Sequence, residues 1–288
     1  MNAPVRCPVC AAAARPRVRL RDHRYLGCDV CGHGFLDAEP APDHVRTTFD
    51  DAYFSGAPGG YDDYLASRPL VERRGAHYLR VVARHGLRSG RMLDAGCGAG
   101  FIAGVFRDAG WDVAGLEPNP RMAALAADRC GGPVSTSPLE EARFPEPFDL
   151  ILLIQVAAHL VRPDAAFASL ARLLRPGGLL VVETWDGRSL TARLLGPSWH
   201  EHNPPSVLHV FCPMSLRLLA ARHGLRHEAT RRTFKSVPAG MAASLLRAKA
   251  AASPALRLPA FLASSFPPDW ALPYPADDLF HAVFRQPR

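Results

Sequence analysis

Residues 91–100 read Arg-Met-Leu-Asp-Ala-Gly-Cys-Gly-Ala-Gly. A short apolar run ends in Asp94, and glycines then stand at every second place, Gly96, Gly98 and Gly100. Phe101-Ile-Ala-Gly-Val-Phe-Arg-Asp-Ala follows, with apolar residues at helical spacing. Strand, glycine turn and helix in this order let a backbone without Cβ atoms approach a nucleoside ligand closely. The spacing restricts which ligand. A dinucleotide fingerprint needs a third glycine three residues after the second, and that place is held by Phe101. A phosphate loop needs Lys-Ser or Lys-Thr after its last glycine, and no lysine is near. A carboxylate at the strand end, Asp94, disfavours phosphate and suits a cation such as an ammonium or a sulfonium. The plain alternative is a glycine-rich turn with no ligand.

A second strand, Trp111-Asp-Val-Ala-Gly-Leu, ends in Glu117-Pro-Asn. Glu117 lies 23 residues after Asp94, close to the ~20 expected between a glycine turn and an acid that binds ribose. A carboxylate there can accept from both ribose hydroxyls; otherwise it is a solvated acid at a strand end. With these residues quoted, the chain resembles the class I S-adenosylmethionine-dependent methyltransferases. Leu93-Asp-Ala-Gly-Cys-Gly-Ala-Gly matches their first motif and Leu116-Glu-Pro the acid closing their second strand. The resemblance implies that Asp94, Gly96 and Gly98 surround the methionine part of the cofactor and that Glu117 holds its ribose. Cys97, Gly100, Pro118 and Gln155 are further cofactor-binding positions on this reading. Leu139, in Pro138-Leu-Glu-Glu, packs on the adenine or else sits in a surface turn.

Strands alternate with helices from residue 91 to 237, which predicts a parallel sheet covered on both faces. The expected class is α/β, a Rossmann-like seven-stranded methyltransferase sheet preceded by a zinc ribbon. Phe148-Asp-Leu-Ile-Leu-Leu-Ile-Gln-Val reads as a buried strand, and Arg175-Pro-Gly-Gly as the turn before the next one, residues 179–184. Strand six is expected over 225–236. The last strand, over 278–284, is expected antiparallel beside it. A plain helix is expected over 239–252.

Ligands of open α/β sheets lie beyond the carboxyl ends of the strands, which puts His159 near the chemistry. Imidazole is the natural proton acceptor near neutral pH, so His159 is a candidate base; a pocket-wall histidine bonded to backbone is the alternative. Relatives often carry Glu where Ala158 stands and Pro-Asn where Trp185-Asp186 stands. His209 matches a histidine that relatives carry after a Trp and a Pro, and it is the second candidate catalytic residue. His200 and His202 lack the spacing of a helical zinc site and read as solvated loop residues.

Cys7-Pro-Val-Cys10 and Cys28-Asp-Val-Cys31 are 17 residues apart, a spacing that reads as a metal site. Two tight turns aim four thiolates, Cys7, Cys10, Cys28 and Cys31, at one zinc ion, with a short hairpin between them. Two disulfides would require an oxidising compartment. Four thiolates leave no open position, so the expected zinc is structural. Cys97, Cys130 and Cys212 are isolated; Cys97 fills the turn and the other two belong to the core. The expected domains are a ribbon over 1–40, a linker and lid/helical segment over 41–90, and a cofactor-binding domain over 91–288 with a helical insertion at 238–270. The aromatic segment Tyr53-Phe54 to Tyr61-Asp-Asp-Tyr64 is either a lid or ordinary packing; Arg68–Arg84 reads as a helix.

The 34 basic and 27 acidic residues leave a charge of +7, carried almost wholly by arginine, since Lys235 and Lys249 are the only lysines. The arginines are spread along the chain, which permits a nucleic-acid partner without requiring one. Residues 1–10 lack an apolar signal core, and the longest apolar run, 150–161, is interrupted by Gln155 and His159. A cytoplasmic protein with no membrane partner is the expectation. The order of ribbon, aromatic segment and core looks like a recurrent bacterial pattern, and the chain is similar to the ubiquinone-biosynthesis type of small-molecule O-methyltransferase. That resemblance implies methylation of a hydroxyl on a sugar, phenol or secondary metabolite. Two rivals stand beside it: an RNA or protein methyltransferase that grips its substrate with the ribbon arginines 15, 17, 19, 21 and 24, and a non-catalytic cofactor-binding scaffold.

Overall fold

The computed structural model describes residues 5–20, 22–56, 60–233, 235–240, 243, 247, 257–267, 270–274 and 276–288. β1 (Ala14–Leu20) and β2 (His23–Cys28) form the antiparallel hairpin between the two cysteine pairs, and β3 (Gly34–Leu36) adds to β2. α1 (His44–Thr48) leads to the aromatic segment. α2 (Arg68–Arg84) carries Pro69 in its first turn, where a missing backbone N–H costs nothing.

The chain then winds through β4 (Arg91–Ala95), α3 (Phe101–Asp108), β5 (Asp112–Leu116), α4 (Pro120–Cys130) and β6 (Val134–Ser135). It continues as β7 (Phe148–Ile154), α5 (Pro163–Leu173), β8 (Leu174–Trp185), α6 (Leu190–Leu195), β9 (His209–Val210), α7 (Pro213–Arg222) and β10 (Arg226–Arg232). β11 (Lys235–Pro238), β12 (Ala271–Tyr274) and β13 (Leu279–Arg285) complete the strands. Seven of them form one sheet in the order β10-β13-β8-β7-β4-β5-β6. β4 to β8 run parallel, and β13 lies antiparallel between β8 and β10.

Strict alternation explains why this sheet is buried on both faces. Met92, Leu150, Leu152 and Val181 point toward Tyr78 of α2 and Phe106 of α3, whereas Leu93, Ile151, Leu153 and Val182 point toward Phe167 of α5 and Leu216 of α7. Both flanking layers are thereby supplied by strands without a polar face. The switch in strand order falls between β4 and β7, and their carboxyl ends open the crevice where α/β sheets bind ligands.

One expectation holds and another is corrected. Arg175-Pro-Gly-Gly is the turn expected: it bulges out of the ladder between Leu174, which pairs with Phe148, and Leu179, which pairs with Leu150, with Gly177 at φ 84°. Strand six ends at Arg232, and Lys235–Pro238 pairs instead with Ala271–Tyr274 as a two-stranded antiparallel unit. That pairing brackets the segment expected as a helical insertion, in which the helix Arg257–Ser264 is described, while most of the helix expected over 239–252 lies outside the described residues. The ribbon is continuous with the core through its sheet. β3 pairs with β9, so the core supplies the fourth strand of the ribbon sheet, and Val9, Leu26 and Phe35 share one apolar cluster with Phe211 and Leu216.

Candidate active site

The turn after β4 is pinned to the end of β5. Gly96 and Cys97 donate their N–H groups to the carbonyl of Leu116, at 2.7 and 3.1 Å. Gly96 and Gly98 take left-handed φ values of 84° and 54°. A Cβ at Gly98 would stand 2.4 Å from the Tyr64 hydroxyl oxygen, and one at Gly96 2.3 Å from Val156 Cγ2. Glycine is therefore required here both by conformation and by space. Gly100 caps α3 and lies behind the turn, against Ala126, outside the cavity lining.

Glu117 is 5% exposed, and each of its oxygens accepts a backbone N–H: Gly98 N–H to Oε2 and Asn119 N–H to Oε1, both at 2.9 Å. One carboxylate thus joins the glycine turn to the end of β5. Each oxygen keeps a lone pair for a further donor. Burial raises its carboxyl above the usual range, opposed by these two bonds. Asp94 is 2% exposed, and its Oδ2 has no hydrogen-bond partner in the structure. A buried carboxylate oxygen left unpaired is costly, and a donor or a cation in the cavity would relieve it.

Both acids line one cavity of about 350 Å³. Gly96, Cys97, Gly98, Pro118, Leu139 and Gln155 line it as well. Its outer wall is aromatic: Phe49, Tyr53, Phe54, Tyr61 and Tyr64 all face it, packed edge to face or stacked at centroid separations of 4.9–6.5 Å. The aromatic segment is therefore a cavity wall rather than remote packing. Asn119 ties it down, donating from Nδ2 to the Phe49 carbonyl and to Asp51, both at 3.1 Å, while its Oδ1 caps α4 by accepting from Met122 N–H.

A buried polar group that sequence reasoning missed supports the floor. Glu183 of β8 is fully buried and accepts from Tyr78 Oη at 2.5 Å and Gln155 Nε2 at 3.1 Å, with the Arg74 guanidinium 3.3 Å away. Gln155 is a non-glycine residue at φ 62°, held there by its own N–H to the Glu183 carbonyl at 2.9 Å. Arg74 faces the cavity. The signal was present: Val71, Arg74 and Tyr78 share one face of a helix whose apolar positions turn inward, and Glu183 interrupts an apolar strand.

His159 lines the cavity next to Phe49, with ring centroids 5.1 Å apart. Its Nδ1 lies 2.7 Å from the carbonyl of Ser206. A carbonyl only accepts, so Nδ1 carries the proton and Nε2 of the neutral ring keeps its lone pair. Burial pushes its pKa down; the Ser206 bond opposes this and the His44 charge adds to it. His209 does not join it, which corrects its reading as a second base. It is buried in β9 outside this cavity, with Nδ1 3.1 Å from His33 Nε2. Burial lowers its pKa to about 4. His200 is exposed, as expected of a solvated loop residue, whereas His202 is half-buried. His200 lines the cavity edge-on to Trp185, and His202 packs on Tyr25 and faces the Gly196 carbonyl at 3.0 Å.

The sulfur atoms of Cys7, Cys10, Cys28 and Cys31 lie within 4.8 Å of one another, and no disulfide joins them. The Cys7–Cys31 and Cys10–Cys28 pairs stand at 3.6 and 3.4 Å, near the ~3.8 Å edge of a zinc–thiolate tetrahedron. Of the ribbon arginines, Arg17 pairs with Asp29 and Arg24 with Asp37, while Arg21 lies outside the described residues. Among the described residues no helix is long and apolar enough to cross a membrane.

Comparisons with known proteins agree with this geometry. A family model described as a methyltransferase domain matches residues 70–230. The chain is 30% identical over 194 residues to the malonyl-[acyl-carrier protein] O-methyltransferase of Serratia marcescens, covering 65% of this chain and 71% of that protein. It is 32% identical over 117 residues to a ubiquinone biosynthesis O-methyltransferase of Cereibacter sphaeroides, covering 38% of this chain and 47% of the relative. Among solved structures, the 1,6-didemethyltoxoflavin-N1-methyltransferase of Burkholderia thailandensis, with bound 1,6-didemethyltoxoflavin and S-adenosylhomocysteine, shares the fold at a TM-score of 0.55 and 18% identity, over 96% of this chain and 100% of that one. The chain belongs to the methyltransferase domain family and is an S-adenosylmethionine-dependent methyltransferase.

Proposed function

We propose that the chain methylates a hydroxyl of a small-molecule acceptor, with His159 as the proton acceptor. The observation that carries this reading is the tautomer of His159, fixed by Ser206 on the wall of the cavity that holds Asp94 and Glu117. Residues 1–40, 41–90 and 91–288 are then metal ribbon, lid segment and catalytic domain. The unpaired Asp94 oxygen and the bare backbone at Gly96 and Gly98 fit a cationic nucleoside. Glu117 would hold its ribose and Leu139 its adenine. S-adenosylmethionine supplies, when bound, a methyl group already activated on sulfur. What remains for the protein is to orient the acceptor, exclude water and take up the hydroxyl proton. The aromatic wall does the second, and Nε2 of His159 the third.

The names of the relatives support transfer to oxygen. Incubating the protein with methyl-labelled S-adenosylmethionine and matched phenols, hydroxyquinones and sugars, free or with the hydroxyl blocked, tests the reading. Label on the free hydroxyl alone is expected; label only on amines, carbon or RNA would contradict it.

Asp94 adds a pH dependence. Burial, opposed by a backbone bond from Ala103 and reinforced by the Glu117 charge, raises its pKa from 3.8 to about 7. The folded protein therefore keeps a proton that the unfolded chain has released, and this group makes ligand-free stability fall as pH rises from about 4 to about 7. A bound cation favours the ionised carboxyl. Affinity for S-adenosylmethionine is then expected to rise from about pH 6 to about pH 8, by up to tenfold, and to flatten in Asp94→Asn. Calorimetry at the two pH values checks this; an equal slope in the variant would remove Asp94 from the role.

We assign the four ribbon thiolates a structural zinc. One zinc per chain is expected by metal analysis. Chelation should release residues 5–36 before the core, read as a lower first transition in a thermal melt. A melt unchanged by chelator would count against the metal.

A further inference from the structure

Arg222 of α7 holds the Pro8 and Val9 carbonyls of the ribbon, and a second set of contacts between ribbon and core leads to His159. Tyr25 Oη donates to the carbonyl of Val207 at 2.6 Å. Leu36 N–H donates to the carbonyl of Leu208 at 2.8 Å, and Gly34 and Phe35 pair with Val210 and His209. His33, two residues after Cys31, meets His209 at 3.1 Å, and Cys212 Sγ lies 3.4 Å from the carbonyl of Cys31. The segment so held is not a remote loop. Asn203, Ser206 and Val207 line the cavity, the Ser206 carbonyl receives the His159 Nδ1 proton, and Leu208 N–H bonds the carbonyl of Ala158 at 2.9 Å. The loop that carries His159 is thus held at Ala158 and at the imidazole by a segment that the ribbon fixes from behind.

We propose that the cysteine-bearing ribbon is the outer support of the acceptor wall, with Tyr25 and His33 as positioning residues that fix residues 203–209 and, through them, the tautomer and aim of His159. This rests on the reading of His159 as proton acceptor and of the four thiolates as a zinc site, and adds to both. A metal site that only stabilised its own hairpin would need neither a shared strand nor a buried imidazole pair across the boundary. Two routes converge on the same loop: the hydroxyl of Tyr25 on the Val207 carbonyl, and the His33–His209 pair beside Leu208, whose N–H holds the Ala158 carbonyl. Neither Tyr25 nor His33 touches the cofactor side of the cavity, which is built from the ends of β4 and β5.

The test uses the full chain in two measurements that need no acceptor. Hydrogen exchange is followed with and without zinc. Tyr25→Phe and His33→Gln are examined by imidazole nitrogen NMR of His159 with S-adenosylhomocysteine bound. Removing zinc is expected to speed exchange about tenfold or more in residues 158–160 and 206–210 as well as in the ribbon, while residues 92–97 stay protected. The variants are expected to bind S-adenosylhomocysteine within about twofold of the parent, which shows that they fold, yet to lose the single Nδ1–H signature of His159. Loosening confined to the ribbon, or an unchanged His159 spectrum in both variants, would overturn the proposal. A ribbon that ignores zinc would instead defeat the metal assignment, and the NMR of the variants then decides the positioning role alone.

Discussion

Replacing His159 by glutamine is expected to lower kcat by about 10²–10⁴-fold, the contribution of a positioned proton acceptor. Glutamine keeps a polar side chain of similar reach, and the cofactor side is untouched. What disappears is a lone pair able to take the hydroxyl proton. The pH profile adds a second readout. Burial holds the His159 pKa below its ordinary 6.5, so the neutral, active form persists to mildly acidic pH. Activity should fall on the acid side as the imidazole takes a proton, and that limb should vanish from the residual activity of the variant. A variant within about threefold of the parent would show that the acceptor loses its proton elsewhere.

Glu117→Ala carries the second large expectation, a loss of about 1–3 kcal/mol in S-adenosylhomocysteine binding, or roughly 5- to 150-fold in Kd. Two terms contribute. A charge-assisted pair of bonds to the ribose is lost, and the N–H groups of Gly98 and Asn119, which Glu117 now satisfies, lose their partner. The second term disturbs the glycine turn itself. Glu117→Gln separates them, because it keeps the shape and one acceptor while removing the charge; a loss near half that of alanine is expected. Calorimetric titration gives both numbers, and an unchanged Kd in Glu117→Ala would take the residue out of the site.

The core was legible because its signals are local. Asp94, the alternating glycines and Glu117 lie within one βα unit and the strand that follows, so spacing alone brought them together. The all-apolar run of β7 announced a strand buried on both faces. The cysteine pairs likewise carry their own geometry. The acceptor side is assembled from afar. Ser206 fixes a histidine 47 residues earlier in the chain, Tyr78 meets Glu183 across 105, and His33 meets His209 across 176. No periodicity encodes such pairings. His209 was misplaced for this reason: its motif position put it beside the chemistry, whereas β9 turns it toward the ribbon. Arg74 and Glu183 were readable in principle, as charges on faces that should be apolar. A lone charge in an apolar pattern identifies a buried pair only once its partner is known.

Two buried acids and the strip of bare backbone between them are expected to receive one cationic nucleoside. A crystal structure with S-adenosylhomocysteine tests this most directly. The prediction is a ribose within hydrogen-bonding distance of Glu117 and the amino-acid end of the ligand against Asp94 and Gly96, with His159 across the cavity from its sulfur. A ligand seated away from both carboxylates, or a phosphate bound at Gly98 in its place, would contradict the account.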